Sequence, residues 1–166
     1  MPIFLIGYMG SGKSTIGKCL SKVMNLPFVD LDNLIESEME MSITQIFNEK
    51  GELFFRHKEH DVLRNYPFKL NTLVATGGGT PCFFKNLNLM NLIGHTIYLE
   101  ISNNELFKRL ESDKKRPLLC DKKLPLKDFI NKQINNRKKY YQMSNYVLKS
   151  DNISINEVQK LVNKII

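Results

Sequence analysis

The eight residues Gly7-Tyr8-Met9-Gly10-Ser11-Gly12-Lys13-Ser14 restrict this chain more than any other stretch. They read as Gly, four residues, then Gly-Lys-Ser, the pattern of a phosphate-binding loop. The apolar run Ile3–Ile6 before them has the character of a buried strand. After them Ile16, Cys19, Leu20 and Val23 recur at helical spacing, which predicts a helix over Lys13–Met24. The glycines let the loop turn back so that successive N–H groups point inward. The helix adds its own free N–H groups and the positive end of its dipole. Such a cradle suits a polyphosphate, with Lys13 reaching the β- and γ-phosphates and the Ser14 hydroxyl available to Mg2+.

Leu26-Pro27 interrupts the helical pattern, and Phe28-Val29 reads as a second strand running into Asp30-Leu31-Asp32. Ligands of open α/β sheets lie beyond the carboxyl ends of the strands, so both acids are site candidates. The plainer reading makes one of them the cap of a helix over 34–39. Ser42-Ile43-Thr44-Gln45 has the form of a capping box that opens a short helix to residue 48, and Gly51 reads as its stop. A further helix over 52–65 brings Arg56 and Glu59 to one face. That pair is either a surface ion pair of little energetic weight or an arginine held by Glu59 to grip an anion bidentately.

Leu73-Val74-Ala75-Thr76 reads as the third strand and runs into Gly77-Gly78-Gly79-Thr80-Pro81. Three glycines exceed what a turn needs, and backbone approach to a ligand is the expectation. A helix over 86–91 and a strand over 96–100 follow. Ser102-Asn103-Asn104-Glu105 is a second capping-box pattern, opening a helix over 105–110 that carries Arg109. The charged run 111–119 lacks periodicity, and its Arg116 precedes a proline. It reads as a solvated linker or as a lid that brings an arginine to a transferred phosphate. Pro125 opens a long helix over 126–143, in which Arg137 flanks the stripe Phe129, Ile130, Ile134 and Tyr141. A fifth strand over 146–148 precedes a helix capped by Ser154, with Ile155, Val158, Leu161, Val162 and Ile165 on one side. Strands alternate with helices and neither repeats nor interdomain linkers occur, which predicts one α/β domain over 1–166 built on a parallel sheet.

The net charge of +7 leaves nucleic acid open as a partner, but the lysines are scattered and no basic–aromatic alternation runs along a strand. An anionic small substrate is the favoured reading. No stretch is long and apolar enough to span a membrane, and the chain enters its first strand without a charged leader, so a cytoplasmic protein is expected. Cys19, Cys82 and Cys120 are far apart and suggest reduced thiols. His57 and His60 lack the His-Glu-x-x-His order and read as part of a solvated helix face.

Six motifs in order resemble the shikimate kinases: Gly7-x-x-Gly10-Ser11-Gly12-Lys13-Ser14-Thr15, Asp30-x-Asp32, Phe55-Arg56-x-x-Glu59, Gly77-Gly78-Gly79, Arg116-Pro117-Leu118-Leu119 and Arg137-x-x-x-Tyr141. The resemblance spans nearly the whole chain. It implies a three-layer P-loop kinase fold with a five-stranded parallel sheet of order 2-3-1-4-5, a substrate-binding helical region at about 31–66 and a mobile lid at about 111–124. It implies a monomeric kinase that moves the γ-phosphoryl of ATP to the 3-hydroxyl of shikimate, with one Mg2+, in the pathway to chorismate and the aromatic amino acids. Carried over residue by residue, Gly10, Ser11, Gly12, Lys13, Ser14 and Thr15 hold the nucleotide phosphates. Ser14 and, through water, Asp30 hold the metal. Asp32 holds the acceptor hydroxyls, Arg56 and Arg137 grip its carboxylate, and Glu59 orients Arg56. Gly77, Gly78 and Gly79 contact the acceptor, Arg116 belongs to the lid and Arg109 stacks on adenine. Ser150-Asp151-Asn152 departs from relatives that present a basic residue to the base. The alternatives are a gluconate or nucleotide kinase of the same fold, or a nucleotide-gated module that binds RNA. The two candidate carboxylate-gripping arginines, and the lack of a second nucleotide-sized insertion, speak against a nucleotide kinase.

Overall fold

A computed structural model describes residues 1–112 and 125–166. The expected lid and its Arg116, with Cys120, fall in 113–124 and lie outside the described residues.

Five strands form one parallel sheet: β1 (Ile3–Ile6), β2 (Phe28–Asp30), β3 (Leu73–Ala75), β4 (His95–Glu100) and β5 (Tyr146–Lys149), in the order β2-β3-β1-β4-β5. Every residue of β1 is fully buried, as a central parallel strand requires. Phe4 and Ile6 enter the core on one face of the sheet, Ile3 and Leu5 the core on the other. The second face is covered by α1 (Lys13–Met24) and α7 (Ile155–Ile165), whose Leu20, Val158 and Val162 meet Leu5 and Leu73. The first face is covered by α2 (Leu31–Met39), α3 (Ile43–Asn65), α4 (Asn86–Ile93), α5 (Asn103–Glu111) and α6 (Leu126–Tyr141). No described helix is long and apolar enough to cross a membrane.

Several local expectations shift. In α1 the buried stripe is Ile16, Gly17 and Leu20, while Cys19 is exposed and Val23 is turned out to solvent. Gly17 is buried because Phe28 packs on it; a Cβ there would stand 2.4 Å from the ring. Helix α2 begins three residues earlier than the apolar spacing suggests, because Asp30 caps it at once. Gly51 stops the first helical segment as expected: at φ 84° and ψ 165° it is non-helical, and a second helical segment follows it within the span of α3. The Ser42–Gln45 and Ser154–Glu157 capping boxes both form. The pattern at Ser102 forms by half: its hydroxyl accepts from the Glu105 N–H, but its own N–H donates to Asp151, and Glu105 pairs with Arg109. His57 is exposed, and His60 Nδ1 lies 2.6 Å from Asn86 Oδ1 with both imidazoles against Phe84.

Candidate active site

The topology puts the ends of β1, β2 and β3 side by side, and the loops that leave them share one cleft. The loop from Gly7 to Gly12 is possible because Gly10 and Gly12 take φ values of +81° and +94°, a region costly for other residues. Gly12 starts α1 without a described side-chain cap, so the first-turn N–H groups are left to an anion. Lys13 is buried and curls over the loop. Its ammonium donates to the carbonyls of Gly7 and Tyr8, both at 2.9 Å, and to Ser11 Oγ at 3.4 Å.

Asp30 joins the loop to the second helix. Its Oδ1 accepts from the N–H groups of Asp32 and Asn33, and its Oδ2 accepts from Ser14 Oγ at 2.5 Å. The capping reading and the site reading of the Asp30–Asp32 pair therefore divide: Asp30 caps the helix, and Asp32 faces the cleft. Asp32 Oδ1 is buried with no hydrogen-bond partner among the described residues. Burial, with Glu59 and Asp30 nearby, pushes its carboxyl up to about 6 against the pull of Lys13 and Arg56. A carboxyl tuned to that range, aimed into a cleft and lacking a partner, is equipped to accept a proton.

Arg56 is buried and held on two sides. Glu59, fully buried, takes Nη1 at 3.1 Å, and Glu52 takes Nε at 3.2 Å and Nη2 at 3.1 Å. Phe83, Phe55 and Phe47 surround the guanidinium carbon at 4.4–5.9 Å from their ring centres. Burial raises the Glu59 carboxyl, opposed by Arg56 and by the Thr80 hydroxyl, which donates to Glu59 Oε1 at 2.5 Å. The Arg56–Glu59 pair is thus no surface ion pair. Glu52 and Thr80 were not evident as partners, although Glu52 stands the helical four residues from Arg56 and that spacing could have pointed to it.

The three glycines are small for reasons that lie within the protein. A Cβ on Gly77 would come within 3.0 Å of Glu59 Oε1 and Asp32 Oδ1, and one on Gly79 within 2.8 Å of the Arg56 guanidinium. Gly78 packs on the phosphate loop, where a Cβ would stand 3.1 Å from the Met9 nitrogen. Gly77, Gly78 and Gly79 all line the cleft, so room for side chains and access for a ligand are provided by the same residues. Helix α6 contributes Arg137 to the cleft, with Gln133 one turn before it and Tyr141 one turn after. Tyr141 donates its hydroxyl to the Gly78 carbonyl at 2.6 Å.

The cavity so formed measures about 720 Å³. Gly10, Gly12, Lys13, Ser14, Thr15, Asp32, Arg56, Glu59 and Arg137 all line it, and Ile43, Phe47 and Phe55 add an apolar wall. Ser11, Asp30 and Arg109 do not. Arg109 sits against the phosphate loop: Nε donates to Glu105 at 2.9 Å, Nη1 to the Gly10 carbonyl at 3.2 Å and Nη2 to the Asp151 carbonyl at 2.6 Å. Asp151 accepts from Ser102 N and Oγ, which hold its carboxyl below the usual range.

A phosphate loop on a central parallel strand, with an acid and two arginines across the cleft, defines a P-loop phosphotransferase for a small anionic acceptor. The family model described as shikimate kinase matches residues 9–166. The shikimate kinase of Bacteroides fragilis is 38% identical over 171 residues, covering 97% of this chain and 96% of that one. Among solved structures, shikimate kinase from Bacteroides thetaiotaomicron superposes with a TM-score of 0.90 at 35% identity, covering 98% of each chain. Shikimate kinase from Acinetobacter baumannii in complex with shikimate does so at 0.85 and 29% identity, over 99% of this chain and 89% of that one. The chain belongs to the shikimate kinase family, whose members are ATP-dependent phosphotransferases.

Proposed function

We propose that this chain transfers the γ-phosphoryl group of ATP to the 3-hydroxyl of shikimate, giving shikimate 3-phosphate and ADP. The observation that carries the reading is that Arg56 and Arg137 line one cavity with Lys13 and Asp32. Two guanidinium groups facing a cleft of this size suit a single ring carboxylate. The related chain from Acinetobacter baumannii, solved with shikimate, supports the same acceptor.

Phosphoryl transfer asks a protein chiefly for alignment and charge stabilisation. In the reading, the Gly10–Thr15 backbone and the start of α1 hold the phosphates. Lys13 leaves the Gly7 and Tyr8 carbonyls to reach the β- and γ-phosphate oxygens. Asp32 accepts a hydrogen bond from the acceptor hydroxyl and takes its proton as the bond to phosphorus forms. Arg56, fixed by Glu59, and Arg137 hold the acid end of the ring so that the hydroxyl faces the loop. Ser14 Oγ and Asp30 Oδ2, 2.5 Å apart, are hard oxygen donors that fit one Mg2+, with Asp30 acting through water. Bound between them, the ion would neutralise charge on the phosphates. The widely separated cysteines support a cytoplasmic setting.

ADP release measured with shikimate, gluconate and a nucleoside monophosphate as acceptors tests the reading. Turnover with shikimate alone is expected. Equal turnover with gluconate, or slow hydrolysis that no acceptor stimulates, overturns it.

A further inference from the structure

Tyr8 occupies the first variable position of the phosphate loop, and no phosphate chemistry calls for a tyrosine there. Its side chain is nonetheless 2% exposed and sits where three parts of the cleft meet. Its carbonyl accepts from Lys13 at 2.9 Å. Its hydroxyl donates to Gln133 Oε1 on α6 at 3.2 Å. Its ring lies beneath Arg137, with the guanidinium carbon 5.5 Å from the ring centre. Gln133 and Arg137 are four residues apart, so both reach this one side chain from the same face of α6. One turn further on, Tyr141 ties the same face to the Gly78 carbonyl.

We propose that Tyr8 is a positioning residue for the acceptor: its ring holds the Arg137 guanidinium over the cavity, and its bond to Gln133 keeps ring and helix in register. The proposal rests on the reading that Arg137 grips the acceptor's carboxylate. A partly buried guanidinium over an aromatic face is attracted to the ring without losing its outer N–H donors. The ring therefore fixes the arginine on one side and leaves its edge to the acid. A tyrosine that merely filled the core would affect stability and leave the Michaelis constants alone.

Steady-state kinetics of Tyr8→Leu and Tyr8→Phe, with Arg137→Ala alongside, tests this. For Tyr8→Leu the shikimate KM is expected to rise by roughly three- to tenfold, the size of one partly buried cation–π contact. The ATP KM and kcat are expected to stay within about twofold, as for a loss of uniform binding to one substrate. Tyr8→Phe keeps the ring and is expected to recover most of the shikimate affinity. Should Tyr8→Leu fail to fold, Tyr8→Met carries the same expectation. An unchanged shikimate KM in the ring-less variant overturns the proposal. So does an equal loss for ATP and shikimate in both variants. An unchanged shikimate KM in Arg137→Ala instead overturns the carboxylate grip itself, whatever Tyr8 does.

Discussion

Gly79 lies so close to Arg56 that a Cβ on it would stand 2.6 Å from Nη2 and 2.7 Å from Nη1. The guanidinium has nowhere to retreat, because Glu52 and Glu59 fix it from two sides and three phenylalanines surround it. Gly79→Ala must therefore push Arg56 off its position. The shikimate KM is expected to rise by about tenfold or more, a loss of the size that follows when a charge-assisted contact is misplaced. Affinity for ADP, measured by titration, should change little, because the atoms nearest a Cβ on Gly79 all belong to Arg56 and none to the phosphate loop.

Asp32 titrates where its removal is visible in two ways. Its carboxyl is raised from 3.8 to about 6, so the folded state binds its proton more tightly than the unfolded chain does. Between those values the native protein holds more protons, and stability falls as the pH rises through the window. At neutral pH the buried carboxylate is thus a net cost. Asp32→Asn should melt higher than the parent at pH 7–8, by roughly 2–5 °C, and the gain should shrink towards pH 4. The same variant should bind ADP normally and lose turnover. In the parent, kcat/KM should fall as the pH drops through about 6, as the base becomes protonated.

Thr80 donates to Glu59 in a fully buried setting. Thr80→Val keeps the shape and removes the donor. The unsatisfied carboxylate oxygen is expected to cost about 1–3 kcal/mol in chemical unfolding. With Glu59 less firmly held, its grip on Arg56 loosens, and the shikimate KM should rise while kcat changes less. Thr80→Ser retains the hydroxyl and should restore both quantities.

Glu52 has a half-exposed side chain, yet it takes two of the Arg56 donors. Held by Glu52 on the Nε side and by Glu59 at Nη1, the guanidinium keeps an N–H of each terminal nitrogen for a ligand. Glu52→Ala should raise the shikimate KM by a few-fold, less than Glu59→Gln does, since an exposed partner contributes less than a buried one. Binding of shikimate measured by calorimetry separates the two.

Much of this architecture was legible in the residues. The phosphate loop, the order of strands and helices and the Ser42 and Ser154 caps depend on local chemistry, which a short window contains. Arg56 and Glu59 were legible as a pair because helix geometry puts them on one face. What escaped depends on contacts between distant segments. Asp151 takes the Ser102 N–H from 49 residues away, so the local capping pattern was completed by a competitor. Thr80 and Tyr8 looked like spacers in their loops, and only the folding of β3 and α6 against β1 gives them partners. The glycines at 77–79 signalled close approach, but the sequence could not say that the nearest neighbours are Asp32, Glu59, Arg56 and the phosphate loop. Gly51 was legible as a stop, because a glycine free to take a positive φ ends a helical segment on local grounds.

The central claim is that two arginines lining the cleft hold the acid of the acceptor while its hydroxyl meets the phosphate. The most direct measurement is kcat/KM for shikimate and for its carboxamide, which keeps the ring and all hydroxyls and lacks the charge. The account predicts a fall of about a hundredfold or more for the amide, carried mainly by KM, since two charge-assisted contacts are lost at once. Comparable kcat/KM for acid and amide would contradict it.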